Sequence, residues 1–146
     1  MEAVLAELSR EKCLQLMATA QVGRIIYTRQ AMPAVELVNF IVDAGDIVIR
    51  TAASGKLAAA IRGAIVAFEA DEYDSATRTG WSVTAIGQAR EVTDPAWIER
   101  LRTAGRHPWV PGDHPYFVRI APGMLTGRRL TPAGTGLAGP DGGLPQ

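Results

Sequence analysis

Val35-Glu36-Leu37-Val38-Asn39-Phe40-Ile41-Val42, then Asp43-Ala44-Gly45-Asp46, then Ile47-Val48-Ile49-Arg50-Thr51: this run decides the fold class. Its two ends are rich in β-branched and aromatic residues, which pack well on a pleated, half-buried surface. The four residues between them carry tight-turn chemistry, with a glycine able to take positive φ. The pattern predicts an antiparallel hairpin, and with it a protein built by strand pairing.

Working outward, Ala52-Ala53-Ser54-Gly55 reads as a loop and Lys56 opens a short helix through Ile61, stopped at Gly63. Ala64–Ala70 is a strand of buried residue types, followed by an acidic loop with Asp71, Glu72, Asp74 and Thr77. Trp81–Val92 reads as a long strand, in which Gly87 suggests a bulge or bend. Thr93-Asp94-Pro95 is a helix start with a capping side chain and proline at the first helical position. Trp97, Ile98 and Leu101 form that helix's apolar face, and Gly105 ends it. Phe117–Ile120 is a further strand, and Leu125–Leu130 another extended piece. On the other side of the hairpin, Arg24–Thr28 reads as a strand ending in a turn near Met32-Pro33. Ser9 caps a helix with Glu11 in its first turn; Leu5 and Leu8 precede it, and Cys13, Leu14 and Met17 continue its apolar face.

About six strands in hairpin-length succession, with short helices between them, favour a mainly β fold closed into an antiparallel barrel. Residues 1–130 form one domain; the Gly/Pro-rich stretch 131–146 buries too little apolar surface to offset its ordering entropy and is expected to be disordered.

Composition narrows the function. With 146 residues the chain can bury a core without cross-links, and the lone Cys13 excludes an internal disulfide and a Cys-rich zinc site. Fifteen basic and fifteen acidic residues balance, so no global field draws nucleic acid or an anionic membrane. No apolar run approaches the roughly 20 residues that cross a bilayer, and Glu2 and Glu7 spoil any signal peptide. A cytoplasmic protein is expected.

Arg50-Thr51-Ala52-Ala53-Ser54-Gly55-Lys56 is the segment best suited to chemistry. A strand ends, small residues turn and a helix begins, so backbone N–H groups and the Thr51 and Ser54 hydroxyls suit a phosphate, with Arg50 and Lys56 as cations. The spacing is not that of a P-loop, and an ordinary connection with two solvated cations has the same pattern. In Gly80-Trp81-Ser82-Val83, Trp81 either packs in the core or covers an aromatic ligand to which Ser82 donates; Ser82 has no nucleophile-elbow context. His107 and His114 lack a third metal ligand, and the acidic run from Glu69 to Asp74 lacks calcium-loop spacing. Arg128-Arg129 is either an anion clamp or an exposed strand end.

The order of these segments resembles the pyridoxamine 5′-phosphate oxidase-like proteins, the FMN-binding split barrels, and among them the short actinobacterial-type members. The matching stretches are Val22-Gly23-Arg24-Ile25, Val38-Asn39-Phe40, Ile49-Arg50-Thr51 with Ser54-Gly55-Lys56-Leu57, and Val66-Ala67-Phe68-Glu69. Gly80-Trp81-Ser82-Val83 with Gly87-Gln88-Ala89, Val118-Arg119-Ile120 and Gly127-Arg128-Arg129 complete them. The resemblance implies a six-stranded split barrel with FMN at a homodimer interface. It implies backbone contacts to the flavin ring from Val38, Asn39 and Phe40, phosphate contacts from Arg50, Thr51, Ser54 and Lys56, and flavin contacts from Trp81 and Ser82. The deazaflavin coenzyme is the alternative cofactor, and a non-catalytic carrier or sensor the alternative to an oxidoreductase acting on a small molecule. Oxidases acting on vitamin B6 end with an arginine- and histidine-containing segment. Here Arg128-Arg129-Leu130 passes straight into the Gly/Pro stretch, so that substrate is not implied.

Overall fold

The computed structural model describes residues 3–52, 55–104 and 116–132. Along the chain these are β1 (Ala3–Glu7), α1 (Arg10–Met17), β2 (Val22–Arg29), β3 (Met32–Asp43), β4 (Asp46–Thr51), α2 (Lys56–Ile61), β5 (Ile65–Asp74), β6 (Thr79–Glu91), α3 (Pro95–Ala104), β7 (Tyr116–Ile120) and β8 (Met124–Pro132). Every strand pairing is antiparallel.

The predicted hairpin is β3–β4, with Asp43 opposite Asp46 and both turn residues, Ala44 and Gly45, at positive φ. From it the sheet extends both ways and closes. The order β6–β5–β2–β3–β4–β7 returns to β6, a six-stranded ring, while β8 and β1 continue outward from β6. One edge of β6 therefore has two neighbours: β8 along Gly80–Ile86 and β7 along Ala89–Glu91. Gly87 sits at the changeover. Its strand runs through without a break, and the missing side chain makes room for the crossing chain, since a Cβ there would lie 2.1 Å from the Ala121 carbonyl oxygen.

Alternation along the strands fills the barrel with Ile25, Phe40, Ile49, Phe68, Val83 and Ile120, and the Phe40 and Phe68 rings meet edge to face at 4.7 Å. Cys13 and Met17 of α1 and Leu57, Ala58 and Ile61 of α2 join this core. A second, smaller core lies outside the wall, where Leu101 of α3 packs with Val48, Val92 and Phe117. Trp97 Nε1 donates to Asp43 at 2.9 Å and helps fasten α3 to the hairpin.

Both helix caps are as predicted: the Ser9 hydroxyl accepts from Lys12 N–H, and the Asp94 carboxylate from Ala96 N–H. Three expectations are corrected. The segment Ala3–Glu7 is a strand, not a prelude to the helix, because β8 supplies it with a long-range partner, Leu5 facing Leu130. The turn after β2 is made by Gln30 and Ala31, both at positive φ, and Met32-Pro33 already belong to β3. The acidic residues Asp71, Glu72 and Asp74 are in β5, paired with β6 up to Asp74 opposite Thr79. In addition, β8 runs on to Pro132, two residues into the stretch assigned to the tail. Residues 133–146, Gly105, His107 and His114 lie outside the described residues. Among the described residues no helix is long and apolar enough to cross a membrane.

Candidate functional site

β4 leaves the sheet after Thr51, at the level where Asn39 pairs with Arg50. Toward Met32, β3 keeps β2 on one edge but has no described strand on the other. Of the predicted phosphate group, Arg50 and Thr51 end β4, and Lys56 opens α2 next to Gly55, which lies against Tyr116, the register partner of Thr51; Ser54 lies outside the described residues. Alternation separates their roles. Ile47 and Ile49 point into the barrel, so Thr51 also points inward while Arg50 points out. Thr51 is 2% exposed, and its Oγ1 is buried with no hydrogen-bond partner among the described residues. A buried hydroxyl in that state costs free energy unless something arrives to bond it. Arg50 lies 5.0 Å from the centroid of the Phe117 ring, in an outward row with Asn39. Phe117 carries no signal in the sequence as a site residue; it joins the group only through the β4–β7 pairing.

Val38 and Phe40 point into the core, which leaves their backbone as what they can offer a ligand. The Phe40 N–H is already bonded to the Gln21 carbonyl at 3.1 Å. Asn39 faces outward yet is 6% exposed.

Trp81 and Ser82 part company. Trp81 belongs to the inner face with Val83 and is 7% exposed; Ser82 belongs to the outer face, between Asp71 of β5 and Arg128 of β8. Next to Ser82's row stands a charged cluster the sequence did not reveal. Arg24 reaches Glu69 at 2.8 Å and Asp71 at 3.2 Å from the same nitrogen. Glu69 is pushed up to about 7, mainly by burial, with the nearby Asp71 adding to the shift and Arg24 opposing it. One register row further, Val35, Ile26, Ala67, Ile86 and Met124 form an apolar line across five strands of the outer face. Val35 and Met124 at its ends are 58% and 59% exposed.

This architecture has known counterparts. The family model described as pyridoxamine 5′-phosphate oxidase matches residues 9–129. The chain belongs to that family. The chain is also 40% identical over 129 residues to the uncharacterized protein Rv0080 of Mycobacterium tuberculosis, covering 85% of this chain and 84% of the relative. Its fold matches the solved structure of an FAD binding protein from Mycobacterium smegmatis, with TM-score 0.68, 32% identity, and coverage of 86% of this chain and 98% of that one. A Corynebacterium glutamicum protein named after the same oxidase family gives TM-score 0.74 and 32% identity, covering 91% of this chain and 98% of that one. In this family's terms the six-stranded ring is the split barrel the sequence predicts.

Proposed function

We propose that the chain is a flavin-dependent oxidoreductase that works as a homodimer and holds FMN at the corner between β3, β4 and α2. The observation that carries this reading is the buried hydroxyl of Thr51, without a partner among the described residues and flanked in sequence by the cations Arg50 and Lys56. Arg50, Thr51 and Lys56, with Ser54, hold the flavin phosphate, and the β3 backbone from Val38 to Phe40 borders the ring. Ser82, on the outer face, meets the flavin of the partner subunit. When bound, the flavin supplies the redox chemistry, and the protein supplies position, charge and exclusion of water. That division of labour agrees with a site that has no evident acid–base pair. The exposed apolar row from Val35 to Met124 supports the dimer, since an apolar line of that extent is suited to burial against a second copy.

FAD is the second form of this reading, favoured by the Mycobacterium smegmatis relative named for it. Its FMN half would use the same phosphate contacts. The absorbance spectrum of the purified protein, with chromatography of the released cofactor, tests both. A flavin spectrum is expected, and a colourless protein that takes up neither FMN nor FAD at micromolar concentration overturns the proposal. Turnover with a reduced nicotinamide and a panel of acceptors separates an enzyme from a carrier.

A further inference from the structure

The apolar row on the outer face reads alike from either end. Val35, Ile26, Ala67, Ile86 and Met124 are successive register partners on β3, β2, β5, β6 and β8, so Ala67 of β5 stands at the centre. The exposed Val35 and Met124 end the row, Ile26 and Ile86 come next, and the smallest residue is in the middle. A patch that binds a second copy of itself across a two-fold axis has to be self-complementary. An axis along β5 meets that condition. It lays Met124 over the partner's Val35 and Ile86 over the partner's Ile26, and it leaves room at Ala67, where the row crosses itself. It also lays β6 and β8 over the partner's β2 and β3, the side on which Asn39 pairs with Arg50, in keeping with Ser82 meeting the partner's flavin.

The next register row crosses the same axis. Its members are Leu37, Arg24, Glu69, Thr84 and Thr126, with Glu69 at the centre. One Arg24 nitrogen serves both Glu69 and Asp71, so each subunit brings two carboxylates and one guanidinium to the axis. Around Glu69, β6 offers only the Thr84 and Ser82 hydroxyls and β3 the apolar Leu37; Arg128 of β8 lies beyond Ser82, opposite Glu7 of β1. Across the axis four carboxylates therefore meet two guanidiniums, and a proton on each Glu69 brings the charges into balance. We propose that the homodimer packs through this face with its two-fold axis along β5, that Glu69 meets the partner's Glu69 there, and that the pair must hold protons for the dimer to form. The inference rests on the dimer reading above and adds the axis and its proton control. In the single subunit burial already pushes Glu69 up to about 7, with Asp71 adding to the shift and Arg24 opposing it. Covering the face removes more water and brings up a second carboxylate, and both favour the protonated form. The dimer thus binds more protons than two free subunits, and raising the pH above about 7 pulls it apart.

Light scattering over a dilution series of the full chain, as purified and at fixed salt, reads the dimer Kd from about pH 5.5 to about pH 8.5. The Kd is expected to be level below about pH 6 and to rise above about pH 7 by about tenfold per pH unit for each proton held. Glu69→Gln keeps a neutral side chain of the same shape at the axis and should give a dimer without that slope; circular dichroism checks that it is folded. Cross-linking reads the axis separately. The two thiols of an Ala67→Cys dimer lie about 10 Å apart across packed sheets, whereas those of Thr126→Cys, two strands from the axis, lie about 20 Å apart. A bismaleimide of about 10 Å reach should therefore join Ala67→Cys and not Thr126→Cys, with the parent, whose single cysteine is buried, as the blank. A Kd that ignores pH, a Glu69→Gln dimer with the parent's slope, or cross-linking at Thr126 in place of Ala67 would overturn the proposal and leave the dimer reading standing. A chain that is monomeric at every pH overturns both, and the flavin spectrum reports on the cofactor apart from either.

Discussion

Gly87 lies against Ala121 so closely that a methyl group on Gly87 would stand 2.1 Å from the Ala121 carbonyl oxygen and 3.3 Å from Ile120 Cγ2. The contact marks the point where β6 exchanges one neighbour for another, and Gly123 N–H bonds the Ile86 carbonyl at 2.9 Å just beside it. The obstacle is backbone, which cannot swing aside as a side chain can. Gly87→Ala is expected to destabilise the fold by about 1–3 kcal/mol or more, the range for overpacking, and to weaken the β6–β7 closure. Chemical denaturation measures the first. The Ala89 N–H bonds the Ala64 carbonyl on the other side, so the amide that faces β7 is that of Arg90, opposite Arg119. Its faster exchange relative to Val83 measures the second; a variant as stable as the parent would refute the close approach.

Glu69 gives a pH dependence of definite sign. Its folded value, pushed up to about 7, lies above the 4.5 of an ordinary glutamate, so the folded chain keeps a proton that the unfolded chain has released. The stabilisation from this group is complete below about pH 4.5 and is lost as the pH rises toward 7. Urea midpoints should fall across that window, and Glu69→Gln should remove this component of the slope. A variant with the parent's slope would place the proton elsewhere.

What the sequence made legible was local. The hairpin, the Ser9 and Asp94 caps and the run Arg50–Lys56 are each written in neighbouring residues, and each was readable before any pairing was known. What escaped it depends on partners far along the chain. β1 is composed of Ala, Val, Leu and Glu, residues as content in a helix, and only its pairing with Pro132 to Arg128 makes it a strand. The Gln30-Ala31 turn has neither glycine nor asparagine to announce its positive φ, and Pro33, just beyond it, is the stronger local turn signal. Arg24 meets Glu69 and Asp71 across 45 and 47 residues, a cluster that exists only once β2 and β5 pair. Trp81 and Ser82 were expected to act together, and the two-residue period of a strand sends them to opposite faces.

The apolar row on the outer face makes the dimer testable at a single position. Val35 is 58% exposed and paired with Ile26, away from the barrel core. Val35→Asp should leave the monomer folded, because the side chain packs on nothing inside. In a dimer that buries the row it would place an unpaired charge in an apolar interface, a cost of several kcal/mol. Light scattering at micromolar concentration should give the parent twice the monomer mass and the variant the monomer mass. A parent that is already monomeric, or a variant that remains dimeric with full stability, would remove this face from the interface.

Thr51 and Lys56 separate a cofactor site from an ordinary connection. If the corner binds nothing, Thr51→Val simply replaces a buried hydroxyl that lacks a partner with a methyl group of similar size, and stability should rise or stay level. If the corner binds a flavin phosphate, the same change should stabilise the flavin-free protein yet weaken FMN binding by about 1 kcal/mol, some fivefold in Kd. Lys56→Ala, on an exposed position, removes a charge rather than a buried atom, and should cost about 1.5–3 kcal/mol of binding, roughly ten- to hundredfold. The pair of results is sharper than either alone. Thermal melts without flavin follow the fold, fluorescence titration with FMN follows the site, and only a phosphate contact makes the two move in opposite directions for Thr51→Val. Unchanged FMN affinity in both variants would assign the flavin phosphate to other residues.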